Sequence, residues 1–212
     1  TLVTQPDGTT IPLTTVLTAA DIAAGTVSQL IPSSALTVDG TWTTSTTITD
    51  PVGNTSAPAA GSFVLDTTAP DAPSVALPES PNGVNAAEAA SAGGTPLVTT
   101  LPANAVAGDT LTTTVTRPDG STLTLSTVLS AADITAGTVS QLIPSSELSN
   151  ANNGNWTSST TLTDAAGNTS APGTGSFLLD TVAPSAPAVA LPESPNGVNA
   201  AEAASAGGTP IV

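Results

Sequence analysis

The stretch VALPESPNGVNAAEAASAGGTP at 75–96 recurs letter for letter at 189–210, and AGTVSQLIPSS at 24–34 recurs at 136–146. Self-similarity at a fixed period marks a repeat architecture, so this duplication governs the reading of everything between the copies. The offset is 112 residues in the front of the unit, as Asp7 with Asp119 and Asp21 with Asp133 show. It becomes 114 behind a two-residue insertion between Leu36 and Trp42, as Trp42 with Trp156 and Asp66 with Asp180 show. One unit therefore has the size of an ordinary folded domain.

The phase of the repeat follows from LDTTAPDAP at 65–73 and LDTVAPSAP at 179–187, where proline and small residues stop a strand and stiffen the backbone. Read as linkers, they divide the chain into the C-terminal part of one repeat (1–66), a complete repeat (67–180) and the N-terminal part of the next (181–212). Thr1 aligns with Thr113 and Val212 with Val98, so the chain reads as a window on a longer tandem array. Inside the complete repeat, period-two alternation marks strands at 73–77, 95–101, 109–117, 121–129, 138–143, 155–163 and 176–180. Pro118-Asp119-Gly120 turns the third into the fourth. The reading is all-β: immunoglobulin-like β-sandwich repeats of about seven strands each, strung into an elongated array. Trp156 and Phe177, the large aromatics of the unit, are core candidates.

Composition narrows the function. One Lys or Arg stands against 16 Asp and Glu with no His, for a formal charge of -15. Only Arg117 is available to neutralise phosphate, which excludes nucleic acid and anionic membrane as partners. The absence of Cys, His and Lys removes thiol nucleophiles, disulfides, Cys/His zinc sites and the usual proton shuttles, so no enzyme is expected. No apolar run reaches the roughly 20 residues of a membrane helix, so no direct membrane insertion is expected. A hydrophobic content of 39% and a mean hydropathy of +0.23 set the chain apart from an acidic disordered tail.

Strand order places the carboxylates. With seven strands alternating between two poles, Asp66 and Asp180 close a unit, while Asp71, Asp109, Asp164 and Asn168 belong to the pole facing the preceding unit. Ca²⁺ needs six to eight oxygen ligands at about 2.3–2.6 Å, which a junction drawing on both domains can supply. Asp164 to Asn168 and Asp50 to Asn54 are five-residue turns in which the Asp accepts backbone N–H groups; a metal role is open beside the turn role. Glu79, Asn82, Asn85 and Glu88 crowd oxygens around Gly83 in the manner of a calcium loop, but the spacing is shorter than in an EF-hand. Asn85 to Glu88 reads equally well as a helix cap, as do Thr18 to Asp21 and Ser130 to Asp133. Asp7 and Asp119 are turn residues, and Asp39 is a poor ligand candidate.

The DTTAP-type linker, GVNAAEA, AADITAG and DAAGNTSAP together resemble the bacterial Ig-like repeats of giant adhesins exported by type I secretion, over the whole chain. The resemblance implies a bacterial cell-surface, extracellular location. It also implies a stalk that projects an adhesive tip for biofilm or host attachment, with Ca²⁺ at or near junctions as stiffener. Neighbouring repeats are the expected partners, with weak lateral self-association, and the tip ligand lies outside these residues. Two other readings stand beside the extender: a repeat that itself binds a carbohydrate or receptor, and a surface-layer component.

Overall fold

The computed structural model describes residues 1–77, 82–189 and 197–204. Among the described residues eleven strands are present in chain order: β1 (Leu2–Thr4), β2 (Thr10–Pro12), β3 (Gly40–Thr46), β4 (Ala59–Leu65), β5 (Ser74–Ala76), β6 (Thr95–Thr100), β7 (Thr110–Thr116), β8 (Thr122–Val128), β9 (Thr138–Ile143), β10 (Gly154–Thr163) and β11 (Gly173–Leu179). Short helices lie between them at Ala19–Ala24, Ala86–Ala89 and Ala131–Ala136, and another follows β11 at Ala200–Ala203. The chain is all-β.

Alternation explains the middle seven strands. In β7, Leu111, Thr113 and Val115 are buried while Thr110, Thr112, Thr114 and Thr116 are half-exposed, the period of two that an extended chain imposes. β11, β10, β7 and β8 form one antiparallel sheet in that order, and β5, β6 and β9 a second. The strand expected at 176–180 begins earlier, at Gly173. The sheets enclose two apolar clusters. One holds Leu77, Val84, Leu97, Val115, Ile143, Trp156, Phe177 and Leu179, and the other Ala105, Leu111, Leu129, Val139 and Leu162.

Trp156 is fully buried, and its Nε1–H is donated to Asn152 O at 2.9 Å, which satisfies the ring's polar edge. The Arg117 guanidinium lies over the indole, 5.6 Å from its centroid, and pairs with Glu147. In the preceding unit Trp42 donates to Val38 O at 2.9 Å, but Gln5 and Ala35 stand where Arg117 and Glu147 do. The pair is replaced together, as one-sided loss would strand a charge.

Residues 1–65 form one antiparallel sheet in the order β2, β1, β3, β4. TVSQLI at 138–143 is β9, paired along its length with β6, yet the identical TVSQLI at 26–31 is not a strand. No counterpart of β6 lies beside 26–31 among the described residues, so tertiary pairing and not local propensity decides the state. Burial tracks the same difference. Val139 is 5% exposed and Leu162 0%, against 45% for Val27 and 60% for Ile48 at the equivalent positions.

No acidic residue among the described residues lies on a strand. The sheet faces are charge-free, and the carboxylates gather in the loops and caps at the two poles.

Candidate functional site

The segment 66–73 joins β4 to β5 and is the linker, or first junction, expected between repeats. Asp66 Oδ1 accepts the Thr68 N–H at 3.1 Å, a tight turn that brings the linker out of β4. The carbonyl of Asp66 accepts from Asn168 Nδ2 at 3.1 Å, which places the 164–168 turn of the following unit on the linker. Asp71 N–H is donated to Asn104 Oδ1 at 3.1 Å, and Pro70 and Pro73 are buried. Asp66, Asp164 and Asn168 thus meet at the segment that joins β4 to β5, and Asp71 lies in the same segment.

Most of these carboxylates are already engaged. Asp164 Oδ1 accepts Ala166 N and Asn168 N, both at 2.9 Å, and its Oδ2 accepts Asn168 Nδ2 at 2.9 Å. Hydrogen bonding to Asn168 holds its carboxyl below the ordinary aspartate range. Asp50 repeats the arrangement with Val52 N at 3.0 Å, Asn54 N at 2.8 Å and Asn54 Nδ2 at 2.8 Å, and its pKa is lowered by the same contacts, Asn54 first.

Asp109 is almost wholly buried: Oδ2 accepts Val106 N at 2.9 Å and shapes the 102–109 loop, while Oδ1 is buried without a hydrogen-bond partner among the described residues. Asp71 and Asp66 Oδ2 receive no hydrogen bond there. Asp180 follows β11 at the second junction, with Oδ1 accepting Val182 N at 3.0 Å.

The loop at 82–88 lies beside Asp180, because Val84 N is donated to Leu178 O at 2.7 Å and Asp180 N to Val84 O at 2.9 Å. Within it Asn85 Oδ1 accepts Ala87 N at 2.8 Å and Glu88 N at 3.1 Å, while Glu88 Oε2 accepts Asn85 N at 2.9 Å. This reciprocal capping box opens the helix Ala86–Ala89. Thr18 with Asp21 and Ser130 with Asp133 cap the helices Ala19–Ala24 and Ala131–Ala136 in the same way. Asn82 is exposed, and Glu79 lies outside the described residues.

For Ca²⁺ the donor set does not fit as a cage. No group of three or more acidic side chains converges among the described residues, and Asp164, Asp50, Asn85 and Glu88 spend their oxygens on their own turns and caps. Among the described residues the exposed junction carboxylates with unspent oxygens are Asp66 and Asp71, and at the second junction Asp180, while the unspent Oδ1 of Asp109 is buried.

Sequence reasoning passed over Asp39. Its Oδ1 accepts Thr67 N at 3.1 Å and Thr67 Oγ1 at 2.9 Å, and its Oδ2 accepts Thr68 Oγ1 at 2.8 Å. At the second junction Asn153 Oδ1 accepts Thr181 N at 3.2 Å and Thr181 Oγ1 at 3.0 Å. The two positions are equivalent under the repeat. The available signal is a paired exchange: Asp39 with Thr68 in one unit, Asn153 with Val182 in the other. Two acceptor oxygens meet two hydroxyls, and one meets one.

No helix among the described residues is long and apolar enough to cross a membrane. The chain matches no protein-family model and no curated protein. Among solved structures it is similar to a Ca²⁺-stabilised adhesin that helps an Antarctic bacterium bind ice, with 29% identity over 77% of this chain and 38% of that one, at a TM-score of 0.39. It is similar to a tetra-tandem repeat from the extending region of a large adhesion protein, with 23% identity over 85% and 41% and a TM-score of 0.43. A third is a 1.5-MDa bacterial ice-binding adhesin, with 28% identity over 79% and 50% and a TM-score of 0.38. The chain spans half or less of the length of each.

Proposed function

We propose that this chain is a run of extender repeats from a large bacterial cell-surface adhesin, a stalk that carries an adhesive tip away from the cell. The observation that carries the reading is the letter-for-letter duplication of 75–96 at 189–210, one unit apart. A spacer needs only that each unit fold and join the next alike, so copying is free of functional cost, whereas a ligand site copied along a stalk would repeat the same contact at every step. The confinement of charge to the poles supports the same reading, because it concentrates the variable chemistry where units meet.

Each unit adds length along its strands. At about 3.3 Å per residue the ten residues of β10 span roughly 30 Å, so a unit contributes a few nanometres of reach. Ca²⁺ joins this reading as a ligand of Asp66, Asp71 and Asp180, completed by water and carbonyl oxygens, with the weak affinity of extracellular modules, Kd about 10⁻⁴–10⁻³ M. Asp109, Asp164, Asn168, Asp50, Asn54, Asn82, Asn85, Glu88 and Glu79 remain candidates only if metal displaces the turn and cap bonds that most of them make.

Changing the number of units in the parent adhesin tests the function. The extender reading expects the reach of attachment to scale with unit number while the bound surface stays the same. Loss of a particular ligand on deletion of repeats would favour the binding-module reading.

A further inference from the structure

We infer that the first junction is locked by an interleaved hydrogen-bond clasp, built on Asp39 and Asn168, that fixes the angle between neighbouring units without metal. The inference deepens the extender reading and rests on it for its purpose, but its geometry stands alone.

A hinge needs free backbone between the last residue tied to one body and the first residue tied to the next. Here the order is reversed. The following unit reaches back to Asp66 through Asn168, and the preceding unit reaches forward to Thr67 and Thr68 through Asp39. The anchors overlap in sequence, so the free length is nil and any change of angle must break at least one of these bonds. Asn104 on Asp71 and the buried Pro70 and Pro73 hold the remainder of the linker to the following unit, with proline removing further φ freedom.

The clasp is written into the repeat. Asp39 offers two acceptor oxygens to Thr67 and Thr68, whereas Asn153 offers one to Thr181, and Val182 has no hydroxyl to satisfy. The amide of Asn153 turns instead to Asn150 Oδ1 at 3.1 Å. A neutral partner with one bond to a hydroxyl where the first junction has two makes the second clasp the weaker of the pair.

The absence of cysteine makes the test clean. Spin labels at Ser45→Cys on β3 and Ser126→Cys on β8, both exposed, report the distance between units in the full chain by pulsed electron resonance. In chelator the parent should give a narrow distance distribution. Asp39→Ala and Asn168→Ala should broaden it toward the roughly 15 Å r.m.s. span of a flexible chain of linker length, while Asp39→Asn should fall between. Tryptophan fluorescence from Trp42 and Trp156 verifies that each variant is folded.

A broad distribution for the parent in chelator overturns the clasp, and so does a narrow one for folded Asp39→Ala. The calcium reading fails separately: it fails if added Ca²⁺ binds no more tightly to the parent than to Asp66→Asn, whatever the distances in chelator.

Discussion

Trp156 stacks on Phe177 with ring centroids 5.6 Å apart and an interplanar angle of 29°, and Trp42 repeats the contact with Phe63 at 5.7 Å and 25°. Each pair lies directly across two neighbouring antiparallel strands, so the repeat preserves a cross-strand aromatic contact as well as letters. Trp156→Ala removes the largest buried side chain of the middle unit. It should cost about 3–5 kcal/mol, a large part of the 5–15 kcal/mol by which ordinary domains are stable. Urea unfolding of the middle unit followed by circular dichroism checks it, and a midpoint unchanged from the parent would contradict the core assigned here.

Two glycines separate steric from conformational need. Gly94 has φ +78, and a Cβ there would collide with Ile143 O; Gly120 has φ +84 with nothing within 4 Å. Gly120→Ala should cost only the left-handed penalty of about 1–2 kcal/mol. Gly94→Ala should cost clearly more, because β9 or the 91–94 turn must move. Equal thermal shifts in the two variants would refute the packing of that turn on β9.

Acid should weaken the chain through its caps and turns. Ser130 lowers the Asp133 pKa and Thr18 that of Asp21, in each case through the hydroxyl first and then the backbone N–H; Ser121 and Thr9 do the same for Asp119 and Asp7. A carboxyl with a lowered folded pKa contributes stability that is present above the unfolded value, about 4. That contribution is lost as pH falls through the lower folded value. The melting temperature should therefore drop as pH falls below about 4, the unfolded carboxylate value. Asp133→Ala should shallow that drop for the middle unit, and an acid profile that overlays the parent's would remove the cap from the account.

The strands of 74–179 were legible because Leu, Val and Thr alternate with period two and Pro-Asp-Gly marks the hairpin. The poles were legible from strand order, which puts Asn168 and Asp66 together although they are 102 residues apart in sequence. Asp39 was not. It stands in the loop where the repeat carries its insertion, and its function depends on the hydroxyls of Thr67 and Thr68, which no local pattern ties to it. Residues 26–31 show the complementary limit, since the same six letters form a strand only where β6 lies alongside.

That contrast predicts a change of state. In a longer protein with a copy of residues 67–112 ahead of Thr1, residues 26–31 should become a protected strand. Amide hydrogen exchange reads this directly. Exchange at 26–31 as fast with the added segment as without it would show that the repeat phase is misassigned.

The central claim is that these units extend reach as a stiff, additive array. Small-angle scattering of arrays of two, four and eight units, with millimolar Ca²⁺ and with chelator, tests it most directly. The maximum dimension should rise by a constant increment per unit, at least the roughly 30 Å of one strand length, with Ca²⁺ adding to a stiffness already present in chelator. A dimension that grows as the square root of unit number in both conditions would describe a flexible chain of beads and contradict the account.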